Sequence, residues 1–222
     1  MIPIKDNNPT RTFPAVTVAI ILLNVVLFGY QISLGPYTES LFYRAGMIPN
    51  EIAHLRDVEP SNLVPLPFTL FTSLFLHGGF IHLLGNMLYL WIFGNNIEDS
   101  MGHGRFIVFY FLCGLVASLS QILFDPNARI PVIGASGAIA GILGGYVVLF
   151  PRARVLTVVP LFIFIQLIWL PAIFVLGIWF IIQLLNAGAG GGVAWFAHIG
   201  GFICGLVIIR LFARRRVRRI YF

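Results

Sequence analysis

The stretch Gly134-Ala135-Ser136-Gly137-Ala138-Ile139-Ala140-Gly141-Ile142-Leu143-Gly144-Gly145-Tyr146-Val147-Val148-Leu149-Phe150, stopped by Pro151-Arg152-Ala153-Arg154, decides the architecture of this chain. From Ser136 to Phe150 it holds no charged residue and belongs in hydrocarbon. A helix over those residues rises only about 22 Å at about 1.5 Å per residue, against a hydrocarbon core of about 30 Å. Such a helix has to begin below the outer surface, and the stretch before it, from Arg129 to Gly134, has to descend as irregular backbone. Irregular backbone is tolerated at depth only where protein buries it or water reaches it. Ser136 is therefore expected at the floor of a wet cavity.

Working outward, 59% of the 222 residues are apolar and 10% are charged, far from the balance of a soluble domain. Apolar stretches fall roughly at 14–33, 74–94, 106–124, 136–150, 160–185 and 194–213, each able to enter or cross the hydrocarbon. The expected fold is all-α, a polytopic bundle of six transmembrane helices with a short, submerged fourth. Residues 1–13 read as a cytoplasmic N-terminal tail, 14–213 as one membrane domain, and 214–222 as a basic cytoplasmic C-terminal tail. A separate soluble domain has no room.

The formal charge of +6 suggests nucleic acid until its placement is considered. With the N-terminus inside, only Arg44, Arg56 and Arg129 of the 14 Lys and Arg fall outside, so the charges set orientation and both termini are expected in the cytoplasm. The Arg214–Arg219 cluster suits anionic headgroups after the last span. Cys113 and Cys204 lie in apolar spans and suggest neither a disulfide scaffold nor a metal site. Residues 1–14 lack an Arg- and Ser-rich targeting pattern and read as retained, which leans toward a prokaryotic plasma membrane. Between the first two spans, residues 34–73 mix acids and prolines with Leu41, Phe42 and Ile52; a loop of this length is expected to fold back on the outer interface.

Spans two, four and six run in the same direction, so His82 and Asn86, Ser136, and His198 share a depth in the outer half of the bilayer. Gly137, Gly141 and Gly145 recur every four residues after Ser136, and Gly201 and Gly205 follow His198. Small residues at that spacing let helix backbones approach closely. Close approach brings a hydroxyl and an imidazole within hydrogen-bonding reach, the arrangement that activates a nucleophile. Serine is also a favoured helix cap, and His and Asn are ordinary interhelical donors. His82 and Asn86, four apart, share a helix face, and with the Ser136 N–H they form a candidate oxyanion hole. His77 lies nearer the interface and suits structure or gating. No Asp or Glu falls within these spans, so the pair is a dyad, and no His-Glu-x-x-His pattern exists to hold zinc.

These residues resemble the rhomboid intramembrane serine proteases. The match covers nearly the whole chain: a long first loop, His82-x-x-x-Asn86, Gly134-Ala135-Ser136-Gly137, and Ala197-His198-Ile199-Gly200-Gly201. The resemblance implies Ser136 as nucleophile, His198 as general base and acid, and His82, Asn86 and the Ser136 amide as oxyanion donors. It implies Gly134, Gly137, Gly141, Gly201 and Gly205 in support, no cofactor or metal, and single-span membrane proteins as substrates, cut in the outer half of the bilayer. Two departures stand out. Phe68-Thr69 occupies the place of a Trp-Arg pair, and Ala140 that of a tyrosine stacked on the histidine. Pro171 within the fifth span and the glycine-dense Asn186–Gly192 are the expected moving parts. The rival readings are an inactive relative that binds and escorts membrane helices, and a small transporter, for which intramembrane acids are missing.

Overall fold

The computed structural model describes residues 1–57, 62–161, 164–189 and 192–214. The arginines at 215, 216, 218 and 219, and Gly190 and Gly191 of the glycine-dense loop, lie outside the described residues.

The chain is mostly helical. Strand β1 (Ile2–Asp6) precedes α1 (Ala15–Ser33), followed by the short α2 (Thr38–Ala45), α3 (Pro49–His54) and α4 (Leu66–Thr72). Helix α5 (Phe80–Tyr89) runs through a π-helical turn, Leu90–Gly94, into α6 (Asn95–Met101). Then come α7 (His103–Phe124), α8 (Ser136–Leu149), β2 (Arg154–Leu161), β3 (Phe164–Pro171), α9 (Ala172–Leu185) and α10 (Trp195–Phe212). Among the described residues α1, α7 and α10 are long and apolar enough to cross a bilayer, and Leu66–Phe75 with Phe80–Met101, bent by 84°, make a fourth if taken as one span. Helices α8 and α9, at 14 residues each, fall short of a full crossing, so helix length alone does not establish six.

Helix α8 is the axis of the bundle. Every residue from Gly137 to Tyr146 is buried, as expected of a helix that is apolar on all sides. It packs between α7 and α10, and the approach is close because the contact residues are small. A Cβ on Gly137 would lie 2.6 Å from Cβ of Ala117 on α7, and one on Gly145 would lie 3.0 Å from Ile209 of α10. Gly201 meets Gly137, Gly205 meets Gly141 and Ile209 meets Gly145, a register advancing four residues at a time in the same direction. The two helices are parallel, as expected of spans that run in the same direction, and close, as the glycine spacing implied.

Three expectations need correction. The fifth apolar stretch is not one helix from 160. Residues 154–161 and 164–171 form a hairpin, and β1 pairs with β2 to make an antiparallel sheet in the order β1-β2-β3. Hydropathy cannot distinguish a buried strand from a helix, but Val155, Thr157, Val158, Val159, Ile165, Ile168 and Trp169 favour the pleat, and Pro160 obstructs a helix. Pro171 is consequently the residue before α9 and does not interrupt it. The second span begins at Phe80, not 74, and its helical run continues to Met101, carrying Glu98 and Asp99 into helix.

Glu98 has no solvent exposure, and its carboxylate caps the start of α1. Oε1 accepts from the Val16 N–H at 2.9 Å, while Oε2 accepts from the Thr17 N–H at 2.8 Å and the Thr17 hydroxyl at 2.7 Å. A negative charge at a helix N-terminus satisfies donors the helix leaves unpaired and suits its dipole.

Candidate active site

The first loop folds into α2, α3 and α4 and is tied to the segment leading to Ser136. Met47 and Val132 exchange backbone hydrogen bonds of 3.2 and 2.7 Å, Asn50 N–H donates to the Ala128 carbonyl at 3.0 Å, and Gly134 N–H donates to the Ser73 carbonyl at 2.9 Å. Met47 and Ile48 are fully buried beneath it. Within the irregular stretch leading to α8, both backbone groups of Val132 and the N–H of the buried Gly134 thus have protein partners.

At the end of that descent Ser136 opens α8. Its hydroxyl lies 2.8 Å from Nε2 of His198, on the first turn of α10. On the other side of the imidazole, Nδ1 is 2.9 Å from Oε1 of Gln183 on α9. Trp179 and Trp195 flank the ring at centroid distances of 5.9 and 6.3 Å. Trp179 therefore stands beside His198 where Ala140, buried in the bundle, offers no aromatic face.

Gly134 has φ +118°, a backbone region open chiefly to glycine. A Cβ there would stand 2.7 Å from Nε2 of His82 and 3.6 Å from Nδ2 of Asn86, so both side chains converge on the backbone two residues before Ser136. Nδ1 of His82 lies 3.3 Å from the Gly78 N–H and can only accept from it, which leaves the ring proton on Nε2, facing Gly134. Nδ2 of Asn86 is buried with no partner among the described residues. A buried donor left unsatisfied is costly, and two donors beside the first turn of α8 make a site suited to a developing negative charge. His77 is buried 5.2 Å from the His82 ring. The Gln31 side chain clamps its backbone, donating to the carbonyl at 2.9 Å and accepting from the N–H at 3.1 Å.

A cavity of about 820 Å³ opens over these groups, lined by His82, Asn86, Ser136, His198 and Trp179, with Glu39, Phe42 and Tyr43 of α2 at its wall. Gly192, Val193 and Ala194, after α9, line it too. Sequence reasoning therefore finds Ser136, His198, His82 and Asn86 in one place. It overlooks Gln183, Gln31 and Gln121, whose Oε1 accepts from the Ala197 N–H at 3.3 Å. Gln183 and Gln121 are the single amides of their apolar helices, Gln31 shares α1 with Asn24, and all three glutamines are buried, which was the available signal, since buried polar groups have partners. Of the two departures, Phe68 is exposed on α4, and Thr69 is buried with its hydroxyl donating to the Leu66 carbonyl at 2.6 Å.

Comparison with known proteins gives the kinship of this arrangement. The family model of the rhomboid domain matches residues 67–215, well over half of the chain. The chain belongs to the rhomboid family. This rhomboid is similar to Rhomboid protein 1, mitochondrial, of Saccharomyces cerevisiae, with 32% identity over 163 residues covering 67% of this chain and 44% of the relative. It is similar to Rhomboid protease GluP of Bacillus subtilis, 35% over 141 residues, covering 61% and 24%. It is also similar to RHOMBOID-like protein 1 of Arabidopsis thaliana, 31% over 175 residues, covering 79% and 40%. The alignments span less than half of these relatives' own lengths. Rhomboids are helical membrane-embedded serine proteases acting on transmembrane proteins, with inactive members among them. This rhomboid is an integral membrane protein by family and by its apolar helices. Mitochondrial and plant relatives leave the expected prokaryotic plasma membrane without support.

Proposed function

We propose that this rhomboid is an intramembrane serine endopeptidase, working by a Ser136–His198 pair on single-span membrane proteins. The observation that carries the reading is the 2.8 Å contact between Oγ of Ser136 and Nε2 of His198, since a hydroxyl is a nucleophile only with a base in reach. His198 takes the hydroxyl proton as Oγ bonds to the scissile carbonyl carbon. The negative charge that forms on the carbonyl oxygen is met by the Nε2–H of His82, the Nδ2–H of Asn86 and the N–H of Ser136. Collapse of the tetrahedral species breaks the C–N bond, and His198 returns its proton to the departing amine. A water entering through the cavity then repeats the sequence on the acyl-enzyme and frees Ser136.

Both termini face the cytoplasm, the chain crosses six times, and the cavity opens toward the outer side; the bias of basic residues and the short α8 support this orientation. Substrate reaches the site beside α9 and the residues following it, with Gly192, Val193 and Ala194 at the cavity wall as the moving edge.

The test uses purified protein in liposomes with a transmembrane substrate whose helix unwinds readily, and a serine-reactive phosphonate. Cleavage and labelling are expected, and Ser136→Ala should abolish both. Persistent cleavage by that variant would remove Ser136 as nucleophile, and absence of both from the unaltered protein would favour a binder of membrane helices.

A further inference from the structure

Nothing in the dyad explains how the imidazole is held with the correct nitrogen toward Ser136. We infer that Gln183 is a positioning residue for His198, fixing its tautomer and ring orientation as a third, uncharged member of the catalytic relay. The inference rests on the proteolytic reading above and deepens it.

Gln183 lies on α9 with 4% of its surface exposed. Its two amide ends have different partners. Nε2 donates to the Trp179 carbonyl one turn earlier at 2.9 Å, and Oε1 stands 2.9 Å from Nδ1 of His198. A carbonyl can only accept, so the nitrogen end must face Trp179 and the oxygen end must face the histidine. Reversing the amide would set oxygen against oxygen. An oxygen acceptor at Nδ1 in turn requires the imidazole proton there, which leaves the Nε2 lone pair directed at the Ser136 hydroxyl 2.8 Å away. Backbone geometry on α9 thereby dictates, through two hydrogen bonds, which nitrogen of a residue on α10 acts as base for a serine on α8.

In water-exposed serine hydrolases an ionised carboxylate does this work. Within a bilayer a carboxylate is expensive, and an amide supplies the same acceptor without a charge. When His198 takes the serine proton, the Gln183 carbonyl dipole still faces Nδ1–H and opposes rotation of the imidazolium. The residues of α9 buried in the bundle, Ala172, Val175, Leu176 and Gln183, form one stripe. Displacement of α9 away from that stripe withdraws Gln183 from His198, so a helix that moves to admit substrate also releases the base until it returns.

Two measurements test this. The first is independent of turnover: nitrogen NMR of histidine-labelled protein in lipid bilayers, with the His198 resonances identified by their loss in His198→Ala. The unaltered protein should show His198 protonated at Nδ1, and Gln183→Leu should give mixed tautomers. The second is steady-state cleavage. Gln183→Leu should lower kcat about 10-fold to 100-fold with KM unchanged, a fraction of what general acid–base catalysis supplies. Gln183→Glu, which in neutral form can donate to Trp179 and accept from Nδ1, should recover kcat to within about 10-fold of the original. Unchanged tautomer and unchanged kcat in Gln183→Leu would overturn the inference, as would an Nε2-protonated His198 in the unaltered protein. A protein with the Nδ1 tautomer that cleaves nothing would sink the protease reading while leaving the hydrogen-bond assignment standing.

Discussion

Gly205 of α10 and Gly141 of α8 are in backbone contact: a Cβ on Gly205 would collide with the Gly141 carbonyl oxygen. Four residues earlier Gly201 stands in the same relation to the Gly137 carbonyl. The seam begins one residue after Ser136 and three after His198, so the separation of the two helices and that of Oγ of Ser136 from Nε2 of His198 are set by the same contact.

Gly205→Val should force the helices apart. Overpacking of this kind costs about 1–3 kcal/mol, and small displacements at a reacting pair cost about 100-fold in rate. Cleavage in liposomes should fall by about that factor and the melting temperature in detergent should drop. Gly29→Ala on α1, where nothing lies within 4 Å, should leave both unchanged. Normal activity in Gly205→Val would separate the seam from the dyad geometry.

The pair of donors at Gly134 leads to a second expectation. Asn86→Ala should lower kcat about 100-fold or more with little change in KM, as removal of one oxyanion donor does. Gly134→Ala should lower kcat as well, because its Cβ would stand 2.7 Å from Nε2 of His82. If Asn86→Ala instead raised KM and spared kcat, the amide would be binding substrate and not the transition state.

The third concerns pH and lies at the opposite end of the molecule. Asp6 on β1 accepts from the Tyr146 hydroxyl of α8 and, at 3.2 Å, from Nδ2 of Asn96. Burial raises its carboxyl from 3.8 to about 6, against the opposing effect of the Tyr146 hydrogen bond. The folded state therefore holds this proton more tightly than the unfolded chain does. The stability it contributes is complete below about pH 4 and is lost as pH rises through about 6. Asp6→Asn has no proton to lose there. Melting temperatures of the two proteins should diverge between pH 4 and pH 6, the unaltered protein becoming relatively weaker, and stay parallel above. A gap that stayed constant or closed with rising pH would contradict this.

Ser136 and His198 were legible because polar side chains flanked by glycine are rare in apolar helices, and because the glycine spacing marks a close seam between two spans that run in the same direction. The shortness of α8 was legible from residue count and rise per residue. Gln183 was not, since its partner sits on another helix and a search confined to acids passes over an amide. The β2–β3 hairpin was hidden because hydropathy measures oil and not pleat, and Ile2–Asp6 because an edge strand declares itself only beside its mate. Glu98 escaped notice for a related reason: the helix carrying it outlasts the apolar run by about two turns, and the α1 cap accounts for a carboxylate there.

The pairing of Ile2 with Val158 has a temporal side. Everything from α1 to α8 separates the two strands, so β1 has no sheet to join until the hairpin beyond α8 has been synthesised. A strand left waiting is an open edge, and the pairing that fastens it also closes the chain from α1 to α8 into a loop. The strand made first is accordingly fastened only after α8 has been made.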